Sequence, residues 1–314
     1  MKVLVTGASG LLGANVVELL LSCGYEVSIL IRRSSNTLGL KGLTPEVHYG
    51  DLKDKESIIH AARHCNAIIH CAANTNQWKT TRMEHDHINL DGTKHTLEAA
   101  KTAGVGKVIF VSTANTFPLS NNQPLILDTD YVRSKQAAED YVLSQDQVPA
   151  VIINPSFMIG PRDVKPSSGQ AVLHFVNHNP VFTPAGGKSF VHVKDVAEAI
   201  LKNLESSVEG KRFLVANDNR SYKSFFNLIG EVTGHKKRII VIPPAISQLA
   251  GEIGTIIGKL TGSMPKLTKE NAAIINTNLF YNGEDTYHEL GIKKRPLEEA
   301  IREAVDWFRK NKYC

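Results

Sequence analysis

Tyr131 and Lys135 stand four positions apart in the stretch YVRSK. On a helix that spacing puts both side chains on one face. A phenol ordinarily gives up its proton near pH ~10, and an ammonium beside it favours the phenolate. The pair therefore predicts a tyrosine tuned by Lys135 to exchange a proton with a substrate oxygen near neutral pH. Upstream, KVIFVST closes on Ser112 and Thr113. A hydroxyl there could hold the same oxygen and steady its charge. A Tyr/Lys pair also occurs on plain helix surfaces, and strand-end hydroxyls also cap turns, so the pattern gains meaning only from what accompanies it.

What accompanies it is a glycine turn. The chain opens MKVLVTGASGLLG, with Gly7, Gly10 and Gly13 at GxxGxxG spacing between an apolar strand and a helix-like run. Such a turn aims free helix N–H groups and the positive end of the helix dipole at an anion. Glycine lets the backbone approach a diphosphate closely and lets the helix lie tight on the sheet. Gly7, Ser9, Gly10, Leu11, Leu12 and Gly13 are thus the candidate diphosphate site; a tight turn with packing glycines needs no ligand. The second strand then runs into Ile31-Arg32-Arg33, with no acidic residue to hold a ribose 2′-hydroxyl. Arg32 and Arg33 could instead grip a 2′-phosphate through charge-assisted bonds, which points to NADP(H). Asp51 and Leu52 could meet the adenine edge, or serve the start of the next helix.

These groups must be positioned by a scaffold, and the pattern predicts one. Short apolar strands at 2–6, 26–31, 46–50, 67–73, 107–113 and 150–155 alternate with helical stretches. Near-continuous apolar strands separated by helices indicate a parallel sheet covered on both faces. The expected fold is α/β: a Rossmann-type, doubly wound parallel sheet with a smaller, mostly helical C-terminal substrate lobe. Residues 1–155 form the dinucleotide-binding domain, with 189–216 (a strand at 189–193, a helix at 195–206, a strand at 212–216) returning to it. Residues 156–188 and 217–314 form the substrate lobe.

Composition narrows the class further. The 314 residues carry 42% hydrophobic and 21% charged side chains, ordinary for a globular protein with a substantial core. The net charge of +5 is modest, and its densest run, Lys236-Lys237-Arg238, lacks the interleaved aromatics of a nucleic-acid surface. Cys23, Cys65, Cys71 and Cys314 form no CxxC pair, and the 12 histidines form no HExxH pattern, so no metal is expected. Sparse cysteines and a strand directly after Met1 suit a cytoplasmic protein. The most apolar stretch, 239–257, is interrupted by prolines, glycines and Glu252. It reads as a loop and a helix packed into the lobe, with no membrane partner. A homodimer is left open.

In their order along the chain, these features resemble a known family. TGASGLLG, Asp51-Leu52, HCAA, VIFVST and YVRSK together look like the extended short-chain dehydrogenase/reductases, across essentially the whole chain. The stretches IIHCAANTNQW, NLDGT and INPSFMIGPRDVKPSSG resemble the dihydroflavonol-reductase-like branch. The resemblance implies that Tyr131 is the acid/base, that Lys135 also binds the nicotinamide ribose, and that Thr113, with Ser112 just before it, is at the usual Ser/Thr position. It implies that Asn89 positions the active-site backbone, that Cys71, Ala72 and Ala73 pass under the cofactor, and that Pro155 and Ser156 lie beside the nicotinamide. Two departures matter. Tyr131 follows Thr113 by only eighteen positions, a short connection for the family. Ala114-Asn115 stands where dehydratases carry an Asp-Glu pair, which argues against a sugar dehydratase.

Trp78, Phe117, Phe157 and Met158 follow strand ends, where a substrate would enter, and suit an apolar or aromatic carbonyl compound. Arg162 and Lys165 could meet an anionic group. The reaction expected is NADPH-dependent reduction of a ketone or aldehyde, or its reverse. A nucleotide-sugar epimerase would use the same Tyr and Lys, with Arg162, Arg220 and Arg238 as candidates for its diphosphate. A non-catalytic NADP(H) sensor would have no use for the Tyr/Lys pair.

Overall fold

The computed structural model describes residues 1–76, 80–119, 127–261 and 267–314. The first half alternates as expected: β1 (Lys2–Thr6), α1 (Leu11–Ser22), β2 (Glu26–Ile31), β3 (Glu46–Tyr49), α2 (Lys55–Ala62) and β4 (Ala67–His70). A helical stretch follows in three parts, α3 (Arg82–His85), a π-helical turn (Asp86–Leu90) and α4 (Asp91–Thr102). Then come β5 (Lys107–Val111), α5 (Asp130–Ser144) and β6 (Ala150–Pro155).

The period-2 alternation of each strand feeds two cores. Val3, Val5, Ile69 and Ile109 point to one face, against Val16, Val17 and Leu20 of α1. Leu4, Ile68, Val108 and Phe110 point to the other, against Ile58 of α2, Leu97 of α4 and Ala138 of α5. Both faces are buried, so the strands can be apolar throughout.

The second half continues β7 (Phe157–Ile159), α6 (Gly169–Asn177), β8 (Val181–Thr183), β9 (Gly187–His192), α7 (Val193–Glu205), β10 (Arg212–Val215), β11 (Asp218–Ser221), α8 (Tyr222–Thr233) and β12 (Ile239–Val241). It ends α9 (Pro244–Thr261), α10 (Lys269–Ile275), β13 (Asn278–Leu279), α11 (Glu284–Leu290) and α12 (Leu297–Lys310). The main sheet has seven parallel strands in the order β10-β6-β5-β4-β1-β2-β3. The direction of winding reverses between β1 and β4, and the crevice beyond their carboxyl ends is where such sheets bind ligands.

Two expectations are corrected. The strand at 189–193 does not rejoin the main sheet: β9 lies in a second sheet with β7, β11 and β13. Its Phe190 stacks on Phe225 of α8 with centroids 4.1 Å apart, and this aromatic packing anchors the strand in the lobe. Only α7, which packs on α1, and β10 return.

Second, α9 is not packed as a lobe-interior helix. Its buried side is small, Ser247 and Gly251, and a Cβ on Gly251 would lie 2.6 Å from the Thr268 carbonyl oxygen. The large side chains are therefore on the outside. No helix among the described residues is long and apolar enough to cross a membrane.

Candidate active site

The glycine turn is shaped by close contacts. Gly7 has φ +72°, and a Cβ there would meet the Ala72 nitrogen at 2.6 Å. A Cβ on Gly13 would meet the Gly7 carbonyl oxygen at 2.3 Å. Both positions exclude any side chain, and together they bring β1, α1 and the chain after β4 into contact. Gly10 caps α1 with no side chain of its own, so its first N–H groups face outward.

A cleft of about 890 Å³ runs from this turn along the carboxyl edge of the sheet. Every residue proposed from sequence for the dinucleotide, from Gly7 to Ser156, lines it except Arg33. Arg32 faces the cleft, whereas the Arg33 guanidinium stacks 4.8 Å over the Tyr49 ring. Of the two arginines that follow β2, only Arg32 is among the residues that line the cleft. Asp51 accepts a bond from the Lys53 N–H at 3.0 Å, and Leu52 packs beneath the Gly92 backbone.

At the other end stand the chemical groups. Thr129 caps α5 by accepting from the Val132 N–H at 3.2 Å, which places Tyr131 in the first turn. The Thr113 side chain lies beside the Tyr131 phenol and draws its pKa down, while the Thr113 Oγ1 accepts from the Asn115 N–H at 3.3 Å. The Ser112 Oγ is buried and has no hydrogen-bond partner among the described residues. Of the two hydroxyls left open by the sequence, Thr113 is thus the one beside the tyrosine.

Lys135 is 1% exposed, donates to the Val111 carbonyl at 2.8 Å and lies 4.0 Å over the Phe110 ring. Burial pushes its pKa down to about 7 and the Tyr131 phenol up to about 12. The expectation that Lys135 lowers the phenol is not what the chain alone produces. Desolvation dominates at both groups, and the nearby Thr113 side chain is the main influence pulling the phenol down.

Further residues hold this geometry. Asn89, within the π-turn, accepts from the Asn74 N–H at 2.7 Å and donates to Ser134 of α5 at 2.9 Å. Glu139, one turn beyond Lys135, accepts from Asn154 at 2.6 Å, Thr116 at 2.7 Å and Arg212 at 2.8 Å.

On the substrate side Phe157, Met158 and Lys165 line the cleft; Trp78 lies outside the described residues. Phe117 does not line it and instead carries the Arg212 guanidinium 4.1 Å above its ring. Arg162 is also withdrawn: it binds Glu18 of α1 at 2.6 and 3.0 Å and the Gly39 carbonyl at 2.6 Å. Arg220 pairs with Asp218 at 2.8 Å. Sequence reasoning missed Asn115, Lys188 and Tyr281, which also line the cleft, with the Tyr281 hydroxyl donating to Asn115 at 3.2 Å. No spacing ties Tyr281 to Tyr131, because only the lobe sheet brings them together.

Away from the cleft, His192, Glu299 and Glu303 bring their ligand atoms within 4.8 Å of one another. The His192 Nδ1 accepts from the Lys194 N–H at 3.2 Å, which leaves the proton on Nε2, facing Glu303 at 3.6 Å. Lys194 also pairs with Glu303. A protonated nitrogen and a neighbouring ammonium suit an acid–imidazole contact better than a metal ion.

The sequence matches the model of the NAD dependent epimerase/dehydratase family over residues 3–216. It is 30% identical to sterol demethylase protein B of Methylococcus capsulatus, across 98% of both chains. It is 26% identical to a Synechocystis protein named for dihydroflavonol 4-reductase, across 98% of this chain and 95% of that one. The fold matches that of Thermus thermophilus UDP-glucose 4-epimerase, solved in complex with NAD, with a TM-score of 0.77 at 24% identity over 98% of this chain and 99% of that one. With its seven-stranded sheet, glycine turn and YxxxK helix, the chain belongs to the NAD dependent epimerase/dehydratase family, a member of the extended short-chain dehydrogenase/reductases.

Proposed function

We propose that the protein is an NADP(H)-dependent oxidoreductase that reduces the carbonyl of an apolar organic substrate. The observation that carries this reading is that Thr113, Tyr131 and Lys135 line one end of a cleft whose other end is the Gly7–Gly13 cradle. The cradle fits a diphosphate: two positions admit no side chain, and the cap of α1 leaves its N–H groups outward. Gly7, Ser9, Gly10, Leu11, Leu12 and Gly13 would hold the diphosphate, and Arg32 the 2′-phosphate. Asp51 and Leu52 would meet the adenine. Cys71, Ala72, Ala73, Lys135, Pro155 and Ser156 would border the nicotinamide half. When bound, the dinucleotide supplies or accepts the hydride.

The chain's own residues do the rest. The Tyr131 phenol, pushed up to about 12 by burial, is protonated at neutral pH and so is in the donor form that carbonyl reduction needs. Tyr131 gives its proton to the substrate oxygen as that oxygen gains negative charge. Thr113 orients the phenol and the oxygen together. Lys135, held against Val111, closes the face of the site behind the tyrosine.

Residues 156–188 and 217–314 supply the substrate wall, where Phe157, Met158, Leu279 and Tyr281 form an apolar part beside Asp163, Lys165 and Lys188. The apolar part accords with relatives named for sterol and dihydroflavonol chemistry. Two of the three arginines considered for a sugar-nucleotide diphosphate, Arg162 and Arg220, are committed to carboxylates, which weighs against the epimerase reading. The test is NADPH consumption against a panel of apolar ketones and aldehydes. Turnover that Tyr131→Phe abolishes is expected; turnover that survives it overturns the reading.

A further inference from the structure

Lys188 of β9 is partly buried and lines the substrate end of the cleft with Phe157, Met158, Leu279 and Tyr281. Its ammonium makes no hydrogen bond or ion pair with any described residue. Other lysines drawn into the protein are answered by carbonyl oxygens. Lys135 donates to Val111 at 2.8 Å, Lys107 to Ser206 at 2.6 Å, and Lys237 to Phe175 and Val176, each at 2.6 Å. A polar group withdrawn from water without a partner costs stability, so the exception calls for a reason.

The lobe sheet fixes where this ammonium sits. Leu279 of β13 is the register partner of Lys188, and Phe157 of β7 is that of Phe190, two residues on. Residues two apart on a strand share a face, so Leu279 and Phe157 continue the face on which Lys188 stands. Two residues beyond Leu279, the Tyr281 hydroxyl reaches Asn115, which follows Thr113 by two positions. Lys188 is thus linked through its neighbours to the end of the cleft where Tyr131 stands.

No carboxylate of the protein answers its charge. Arg220, its register partner on β11, takes Asp218 at 2.8 Å. Asp163 is the one acid among the lobe residues that line the cleft. Its Oδ2 accepts from the N–H groups of Ser167 at 3.2 Å and Gly169 at 2.9 Å. Lys165 also lines the cleft but is exposed. Two ammoniums against one carboxylate leave one positive charge in surplus, and Lys188 is the ammonium held away from solvent. Burial pushes its pKa down to about 8, the direction of an ammonium that lacks a counter-charge.

Resting on the oxidoreductase reading above, we propose that Lys188 holds a carboxylate of the substrate, so that the compound reduced at Tyr131 is an apolar oxo acid. A carboxylate brings the acceptor that the protein does not supply, in a charge-assisted bond. One surplus charge matches a single carboxylate; a diphosphate carries more negative charge than these groups balance. Phe157, Met158 and Leu279 receive the hydrocarbon body.

Two measurements test this. The first needs no turnover: calorimetric titration of decanoate and of decanol into the protein with NADP+ present. Decanoate is expected to bind at least ~10-fold more tightly, Lys188→Met to remove the preference and Lys188→Arg to keep most of it. The second is NADPH consumption with straight-chain oxo acids and their methyl esters. The acid should exceed its ester by roughly 10-fold or more in kcat/KM, mainly through KM, and Lys188→Met should bring that ratio near one. Methionine keeps the apolar stem and removes an unpaired ammonium, so the variant should melt no lower than the parent. If it fails to fold, Lys188→Gln and the parent's own preferences decide. The proposal is overturned by decanoate and decanol binding alike to the parent, by a preference that survives Lys188→Met, or by one that Lys165→Met removes instead. If no oxo compound is turned over while decanoate binding depends on Lys188, the oxidoreductase reading falls and the carboxylate site stands. Turnover in which acid and ester are equal does the reverse.

Discussion

Arg212 of β10 reaches Glu139 of α5 at 2.8 Å, beneath the helix that carries Tyr131 and Lys135. The same carboxylate takes hydrogen bonds from Asn154 of β6 and from Thr116. Three separate pieces of chain thus converge on one buried acid of α5, and that helix is fixed against the sheet by it.

That convergence predicts a stability cost. Glu139 is almost wholly buried and Arg212 about two-thirds so, hence Glu139→Ala leaves polar groups unpaired in the interior. We expect a loss of about 2–4 kcal/mol, at the lower end of buried-pair deletions because Arg212 keeps some solvent. Urea unfolding measures it; a change under about 0.5 kcal/mol, the range of ordinary surface substitutions, would show the network to be dispensable.

The two hydroxyls should separate kinetically. Thr113 lies close enough to the Tyr131 phenol to pull its pKa down and Ser112 does not, so Thr113→Val should lower kcat by roughly 10- to 100-fold. Ser112→Ala should change kcat by less than about 3-fold, and Tyr131→Phe should remove 100-fold or more, the typical range for a lost general acid. Steady-state rates with NADPH decide; a larger effect at Ser112 than at Thr113 would contradict the assignment.

Arg32 and Arg33 should differ as well. Arg32→Ala is expected to raise KM for NADPH by roughly 10-fold while leaving NADH use little altered, because a single charge-assisted phosphate contact is removed. Arg33→Ala, which removes only the stacking on Tyr49, should stay within about 2-fold on both cofactors. Equal effects of Arg32→Ala on the two cofactors would argue against NADP(H) selectivity.

Lys135 links the site to pH. Its native pKa of about 7 lies below the ordinary 10.5, so between those values the unfolded chain binds more protons than the native one. Stability from this group therefore rises with pH above about 7. Cys71, raised by burial to about 12, opposes it above its ordinary value of 9, so the clean window is pH 7–9. Measured as the difference between the parent and Lys135→Met, the parent should gain on the order of 1–2 kcal/mol across that window. A flat difference would mean that Lys135 is charged and paired in the native state.

Much of this was legible along the chain. The strand–helix alternation is a local property of apolar periodicity, and it predicted all seven strands of the main sheet. The glycine spacing was legible because backbone sterics at Gly7 and Gly13 forbid any other residue. Lost to sequence reading was whatever depends on a partner far away in the chain. Arg162 looked like a free cation until Glu18 was beside it. The strand at 189–193 had the composition of a sheet strand, but its neighbours belong to the lobe.

The sequence by itself determined the fold class, the cleft at the sheet's carboxyl edge and the short roster of groups that could do chemistry there. These follow from residue spacing, and spacing is carried by the backbone's own repeat. Tertiary structure alone decided which hydroxyl lies beside Tyr131, which arginine lines the cleft, how burial shifts Tyr131 and Lys135, and which side of α9 is outside. Each of those is a matter of desolvation and pairing between residues remote in sequence, and neither can be summed until the chain has chosen its neighbours.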